Sequence, residues 1–417
     1  MPCFARVLAA ALLVALLGAA PSGAATRFTI RGAGFGHGVG MSQYGAMGMA
    51  AEGWGHRRIL AHFYSGTDLG VLRENREVRV LLQSVRGGAA FTGANAGAGL
   101  ILNPARTYTV RARSGGLVAL VGPRGRELAV VAPPLRVTGP GAVILRGRAG
   151  NGRTDGAYRG ALEFRPGTLG GINAINAVGL EDYVQGVVPV ESPSTWPLEA
   201  LKAQAVAART YAVTTSKGGD GWDHYPDTRS QVYGGLAVET EATNAAVAET
   251  AGQLVTYEGT PVVTYFFSTS GGRTENVENT TLGTEPRPWL QSVEDPYDHV
   301  SPRHRWGPIR MTYKAAGAKL RGLVQGRFRG IQVVSRGASP RVVEADVLGT
   351  RGTTRVSGAT LRARFGLYDT WAYFTSIATR PAPPPDAAEE TGGAEPNPSA
   401  VRRPAFASLV GAARPAR

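Results

Sequence analysis

Residues 187–212 read Val187-Val188-Pro189-Val190-Glu191-Ser192-Pro193-Ser194-Thr195-Trp196-Pro197-Leu198-Glu199-Ala200-Leu201-Lys202-Ala203-Gln204-Ala205-Val206-Ala207-Ala208-Arg209-Thr210-Tyr211-Ala212. The second half predicts a helix. Pro197 fits its first turn, where a missing N–H costs nothing, and Glu199 falls in the positive first turn, which favours its charge. Beyond Glu199, alanine, valine and leucine point in nearly every direction around the axis, the pattern of a helix buried on all sides. Lys202, Gln204 and Arg209 interrupt it. Lys202 and Arg209 project from one side, together with Leu198 and Ala205. Two cations on a packed face need partners unless their stems carry them out to solvent, and the sequence leaves both open. Glu191 reads as a loop residue just before the helix, between Val190 and the prolines. A carboxyl in so stiff and apolar a setting should titrate high, as a general acid must. By itself, an ordinary loop glutamate is the simpler reading.

Around this segment the chain divides into stretches. Residues 26–70 hold a glycine-rich loop and a helix-like segment. Residues 71–170 alternate apolar and polar positions, as in Arg76-Glu77-Val78-Arg79-Val80-Leu81-Leu82, with frequent Gly and Pro, and predict short strands. Residues 171–257 read as mostly helical, and 258–378 as strands with short helices. The fold class expected is α+β: a helical catalytic core with a strand-rich inserted region. Residues 379–417 are rich in Pro and Ala with almost no aromatics, the composition of a disordered tail.

At the other end, Arg6, the apolar run from Val7 to Leu17 and the small residues Ser22-Gly23-Ala24-Ala25 have the pattern of a secretory signal peptide over residues 1–25. The run is well short of the roughly 20 residues that span a bilayer. The expected location is therefore outside the cytoplasm, in the cell envelope or beyond, with no integral membrane segment after processing. The single cysteine, Cys3, lies in this leader, which leaves the rest of the chain without disulfide, thiolate nucleophile or cysteine metal site. A formal charge of +14 favours anionic wall polymers or a membrane surface. The arginines are scattered rather than clustered with aromatics, which argues against nucleic acid as a partner.

Two further stretches carry candidate binding residues. In Gly34-Phe35-Gly36-His37-Gly38-Val39-Gly40-Met41-Ser42-Gln43-Tyr44-Gly45-Ala46 the glycines would let the backbone approach a ligand, while His37, Gln43 and Tyr44 offer donors and a stacking face. A nucleotide-binding glycine loop is the weaker reading, since no acidic residue follows after a second strand at the usual spacing. Phe267-Ser268-Thr269-Ser270-Gly271-Gly272-Arg273-Thr274 offers Ser268, Ser270 and Arg273 to sugar and acetamido groups, or is equally a polar hairpin turn. Residues 356–367 look structural.

Residues 187–212 closely resemble the signature of the stage II sporulation protein D family of cell-wall glycan-cleaving proteins, and the two further stretches together with residues 356–367 extend the similarity over most of residues 28–376. The resemblance implies a catalytic role for Glu191 and supporting roles for Lys202, Gln204 and Arg209. It implies a lytic transglycosylase acting between N-acetylmuramic acid and N-acetylglucosamine, with one glutamate as acid and base and with peptidoglycan glycan strands as substrate. Some members are regarded as amidase modifiers, so a non-catalytic glycan-binding protein that stimulates a cell-wall amidase is the alternative. A hydrolase pairing Glu191 with Glu181 or Asp182 is a third. In many members the His-Gly-Val-Gly-Met-Ser-Gln-Tyr signature comes near the C-terminus. Its place here implies a circular permutation, with residues 26–30 beside 372–377. Some members bind zinc just before a Gln-Val-Tyr. Here Asp227-Thr228-Arg229-Ser230-Gln231-Val232-Tyr233 has no such ligands and His224 stands alone, so no metal or other cofactor is expected.

Overall fold

Alternation becomes strand where the sequence predicts it: Glu77–Val85 is a nine-residue strand whose Val78, Val80 and Leu82 turn inward. It belongs to a computed structural model that describes residues 26–378 apart from 73 and 75. The leader and tail readings lie outside the described residues. Thr26–Ile377 forms one compact unit, built from seven helices and six sheets among the described residues. The class is α+β.

Two six-stranded sheets make up the strand-rich region. One runs from Glu127–Val131 through Val118–Val121, Tyr108–Ala112, Ala89–Thr92 and Val143–Arg148 to Thr154–Tyr158. In the other, Glu77–Val85 pairs with Ile172–Gly179 and then Ala161–Pro166 and Leu135–Thr138. Their inner faces share one core, with Phe91 of the first packed 5.5 Å from Phe164 of the second. Burying such a ring stabilises by roughly 1.5–3 kcal/mol.

The helices are α1 (Gln43–Ala51), α2 (His56–Phe63), α3 (Leu180–Glu191), α4 (Leu198–Thr214), α5 (Glu241–Glu249), α6 (Tyr313–Lys319) and α7 (Gly358–Phe365). Helix α4 is apolar all round because it lies between two cores. Leu201, Ala205, Ala208 and Ala212 pack into the sandwich core. Ala203, Val206 and Ala207 pack into a second core with α1, α2 and the strand Gln253–Tyr257. Pro197 stands just before its first residue, one position earlier than expected.

One expectation is corrected here. Glu191 is not in a loop; it is the last residue of α3, a helix that tolerates Pro189 in its final turn. What stops the helix is Pro193, since the residue before a proline is driven out of the α region. Ser192 is accordingly extended, at φ −137° and ψ 133°.

A third core joins a three-stranded sheet to a second one formed by Phe328–Arg336, Val342–Gly349 and Gly352–Ser357. In the former, Thr26–Ala33 lies between Arg305–Thr312 and Ala372–Ala378. The 26–30 segment therefore does run beside 372–377, with Phe28 stacked on Phe374 at 6.1 Å. Within residues 356–367, Ser357 caps α7 and Gly366 ends it in the left-handed conformation.

Candidate functional site

The Glu191 carboxyl sits where four pieces of chain converge. The C-terminus of α3 supplies it, and the N–H of Val232, in the loop after α4, donates to its Oε1 at 2.8 Å. From the start of α1, Gln43 donates from Nε2 to the Glu191 carbonyl at 3.0 Å and to Gln204 Oε1 on α4 at 3.3 Å. Tyr44 meets Trp196 edge-on, ring centres 5.0 Å apart. The structure thus gathers Glu191, Gln43, Tyr44 and Gln204.

Burial pushes the Glu191 carboxyl above the usual carboxylate range, opposed only in part by the Val232 N–H and the Gln43 amide. Among the described residues no cation is paired with it and no other carboxylate contributes to the shift. Ser192 Oγ and Gln204 Nε2 are buried beside it without a hydrogen-bond partner. Chemically, the cluster is one buried carboxyl with a raised pKa, two unmatched polar groups and an aromatic wall.

The other candidates hold different places. The Arg209 guanidinium is fully buried and forks onto Glu181 at 2.8 and 2.6 Å, with further bonds to the carbonyls of Val247 and Gln253. Lys202 bridges Glu199 at 2.6 Å and Glu249 at 2.7 Å, tying α4 to α5. Glu199 in turn accepts from the N–H of His56 at the start of α2. Burial opposes its charge, but the bonds from Lys202 and His56 prevail and hold its carboxyl at about 2. Both cations thus have the partners that the packed face required, and neither snorkels free.

His37 is committed on both nitrogens. The N–H of Val39 donates to Nδ1 at 3.1 Å, which leaves the proton on Nε2 to donate to the Phe266 carbonyl at 3.0 Å. Burial holds this imidazole down at about 4, so it is neutral at pH 7. Its ring lines a cavity of about 580 Å³ with Glu278 and Arg362, a cavity that Glu191 does not line. The glycines around it let the backbone approach protein rather than ligand. Gly40 has φ +75°, and a Cβ there would lie 2.1 Å from the Tyr265 carbonyl. Met41–Ser42 can therefore pair in parallel with Phe266–Phe267.

The Ser268 carbonyl accepts from the Tyr44 N–H at 3.0 Å. Ser270 is buried and donates to Asp295 Oδ2 at 2.7 Å, while Arg273 reaches Ser292 and Glu294. None of these side chains bonds to the Glu191 cluster. Sequence reading passed over Trp196 and the Val232 N–H. Trp196 stood inside the quoted stretch without a role, and the Gln-Val-Tyr run was considered only for a metal. Among the described residues there is no group of three or more His, Cys, Asp and Glu able to hold one.

Fold and site together define a class: an α+β protein whose candidate acid is presented by a helix end beside a doubly buried helix. Residues 168–257, which supply Glu191, Trp196, Gln204 and Val232 to that site, match the family described as "Stage II sporulation protein". Residues 168–257 thus carry the domain of the stage II sporulation protein D family, and the similarity to named relatives extends beyond it. It is 35% identical over 191 residues to Stage II sporulation protein D of Bacillus subtilis (strain 168), covering 39% of this chain and 54% of that protein. It is 38% identical over 150 residues to the protein of that name from Bacillus amyloliquefaciens, covering 32% and 43%. A B. subtilis protein named Amidase enhancer is 39% identical over 116 residues, 28% of this chain and 15% of that one. The chain thus spans about half, or less, of the length of the curated relatives it matches.

Proposed function

We propose that this chain is an exported lytic transglycosylase that cuts peptidoglycan glycan strands with Glu191 as its only acid and base. The observation that carries the reading is the solitary, high-titrating carboxyl at the end of α3. Glycosidases that add water use two carboxyls roughly 5–9.5 Å apart. Glu181 and Asp182 lie on the same helix ten and nine residues earlier, about 15 and 13.5 Å along its axis. Glu181 is moreover held by Arg209. This supports a reaction needing one carboxyl over hydrolysis with either partner.

In that reaction the protonated Glu191 gives its proton to the glycosidic oxygen as the C1–O bond between N-acetylmuramic acid and N-acetylglucosamine breaks. The carboxylate so formed takes the proton of the muramic acid 6-hydroxyl as O6 bonds to C1. A 1,6-anhydro end results and the proton count returns to its start. Val232 holds the carboxyl and Gln43 the Glu191 main-chain carbonyl, while Tyr44 and Trp196 offer a wall to sugar rings. Lys202 and Arg209 act by holding α4 in place.

The strand pairing of residues 26–33 with 372–378 supports the circularly permuted arrangement as part of the same reading. The match to a protein named Amidase enhancer favours a second reading, a glycan-binding stimulator of an amidase. Incubating purified protein with peptide-free glycan strands and weighing the products separates them. Anhydro ends formed by wild type and not by Glu191→Gln bear out the first. Reducing ends would mean hydrolysis, and no cleavage by wild type would leave the amidase reading.

A further inference from the structure

The loop that fastens Glu191 has a second end. Residues 222–226 run along the strand Glu77–Val85, where Leu81 N–H donates to the His224 carbonyl at 3.0 Å and His224 N–H to the Arg79 carbonyl at 3.1 Å. The loop then closes on itself, the Tyr225 N–H donating to Ser230 Oγ at 3.1 Å and the Tyr233 N–H to the Pro226 carbonyl at 3.2 Å. Val232, just before that closure, is the residue whose N–H holds Glu191. Where the loop leaves the sandwich there is a cleft of about 520 Å³, lined on the sheet side by Arg148 and Asn173 and on the loop side by Trp222 and Tyr225.

Its lining combines aromatic rings with polar donors. The Trp222 and Tyr225 rings stand at 72° with centres 6.4 Å apart, both half-buried. Two such faces in an L suit the C–H faces of sugar rings, which meet the negative face of an aromatic system. Arg229 covers Tyr225 from 3.8 Å and is itself anchored by Asp227 at 2.7 Å, which fixes that ring. The Trp222 Nε1–H is enclosed, so the indole presents the cleft with ring surface rather than with its donor. Asn173 spends Oδ1 on the Ser84 hydroxyl at 2.7 Å, which leaves its N–H groups to an incoming acceptor. Arg148 is exposed and has no carboxylate within ion-pair reach among the described residues. The volume lies within the usual range of ligand sites, roughly 300–1,000 Å³.

We propose that this cleft is a second glycan subsite, which takes an N-acetylated, carboxylate-bearing sugar of the strand that Glu191 cuts. Trp222 and Tyr225 stack its rings, Asn173 meets acetamido or hydroxyl oxygens, and Arg148 pairs with the carboxylate. It rests on the reading of a glycan strand as substrate. A long strand engages both ends of the 222–232 loop, whereas a disaccharide engages one.

The test uses the Glu191→Gln chain, so that strands stay whole, and measures binding of peptide-free glycan oligomers of increasing length by calorimetry. Affinity should rise with length. Adding Trp222→Ala should lower it roughly tenfold for long strands, about the size of one lost stacking contact, and leave a disaccharide unaffected. Trp222→Phe should keep most of it. Arg148→Gln should weaken strands containing muramic acid and spare chitin oligomers of equal length, which lack the carboxylate. If Trp222→Ala misfolds by circular dichroism, the Trp222→Phe and Arg148→Gln arms decide. Length-independent binding, or unchanged binding in all three variants, overturns the subsite. Cleavage by wild type with Trp222-independent binding would sink the subsite alone. Trp222-dependent binding without cleavage would sink the catalytic reading alone.

Discussion

At the residue scale, two buried acids set the pH behaviour. Glu191 titrates high because burial disfavours its charge. A carboxyl whose folded pKa is raised adds stability below its unfolded value of about 4 and loses it as pH rises through the folded value. Glu191→Gln should therefore melt higher than wild type at pH 7 and converge with it near pH 4, in thermal melts across that range. Equal melting temperatures throughout would contradict the burial argument. Its cleavage rate should fall by roughly 10²–10⁴, the usual worth of a positioned acid and base. Asp295 behaves alike. Burial and then the neighbouring Asp298 raise it to about 7, and its Oδ1 has no hydrogen-bond partner. Relative to Asp295→Asn, wild type should lose stability as pH climbs from about 4 to about 7.

At the scale of elements, α4 carries the arrangement. Its Arg209 bonds outward to Glu181 on α3, to the end of α5 and to the strand Gln253–Tyr257, so one guanidinium joins four elements. Arg209 is fully buried while Glu181 is about a third exposed, so losing Arg209 breaks several bonds in a dry site and losing Glu181 strands the guanidinium charge. Arg209→Ala should cost about 3–5 kcal/mol in denaturant unfolding, and adding Glu181→Gln should cost less than the sum of the two single changes. Additive losses would mean the pair is not coupled. Helix α1 has its own constraint at Gly45, where a Cβ would come within 2.3 Å of the Asp295 carboxylate. Gly45→Ala should push α1 aside, lower stability by about 1–3 kcal/mol and slow cleavage through the displaced Gln43. Wild-type cleavage by this variant would show that Gln43 is not needed where it stands.

At the scale of the whole molecule, the ends of the described chain meet in one sheet. The Ala33 N–H donates to the Trp371 carbonyl at 3.1 Å, and Phe28 faces Phe374. The two strands therefore run in opposite directions, with residue 26 near residue 377. A chain in which these ends are joined by a short linker and new termini are opened in the exposed turn at residues 123–126 should fold with an unchanged circular dichroism spectrum and cooperative melt, since termini that lie close tolerate permutation. An insoluble or non-cooperative product would refute that. Among the described residues no helix is long and apolar enough to cross a membrane.

Alternation in residues 76–85 and the all-apolar helix after Pro197 were legible because strand and helix periods, together with turn residues, are local properties of the chain. The signature around Glu191 also singled out that carboxyl as a candidate. What lay beyond reach was every relation between distant segments. That α4 is apolar all round follows from two cores meeting on it, and that Arg209 is paired follows from Glu181, 28 residues away. Gly40 yields to the Tyr265 carbonyl and Glu191 is fixed by Val232, because backbone from elsewhere arrives there. Composition could nominate His37, Ser270 and Gln43 alike as polar candidates. Only the folded chain seats Gln43 on Glu191, spends both nitrogens of His37 on backbone and buries Ser270 against Asp295, since a side chain's role is set by which partners reach it first.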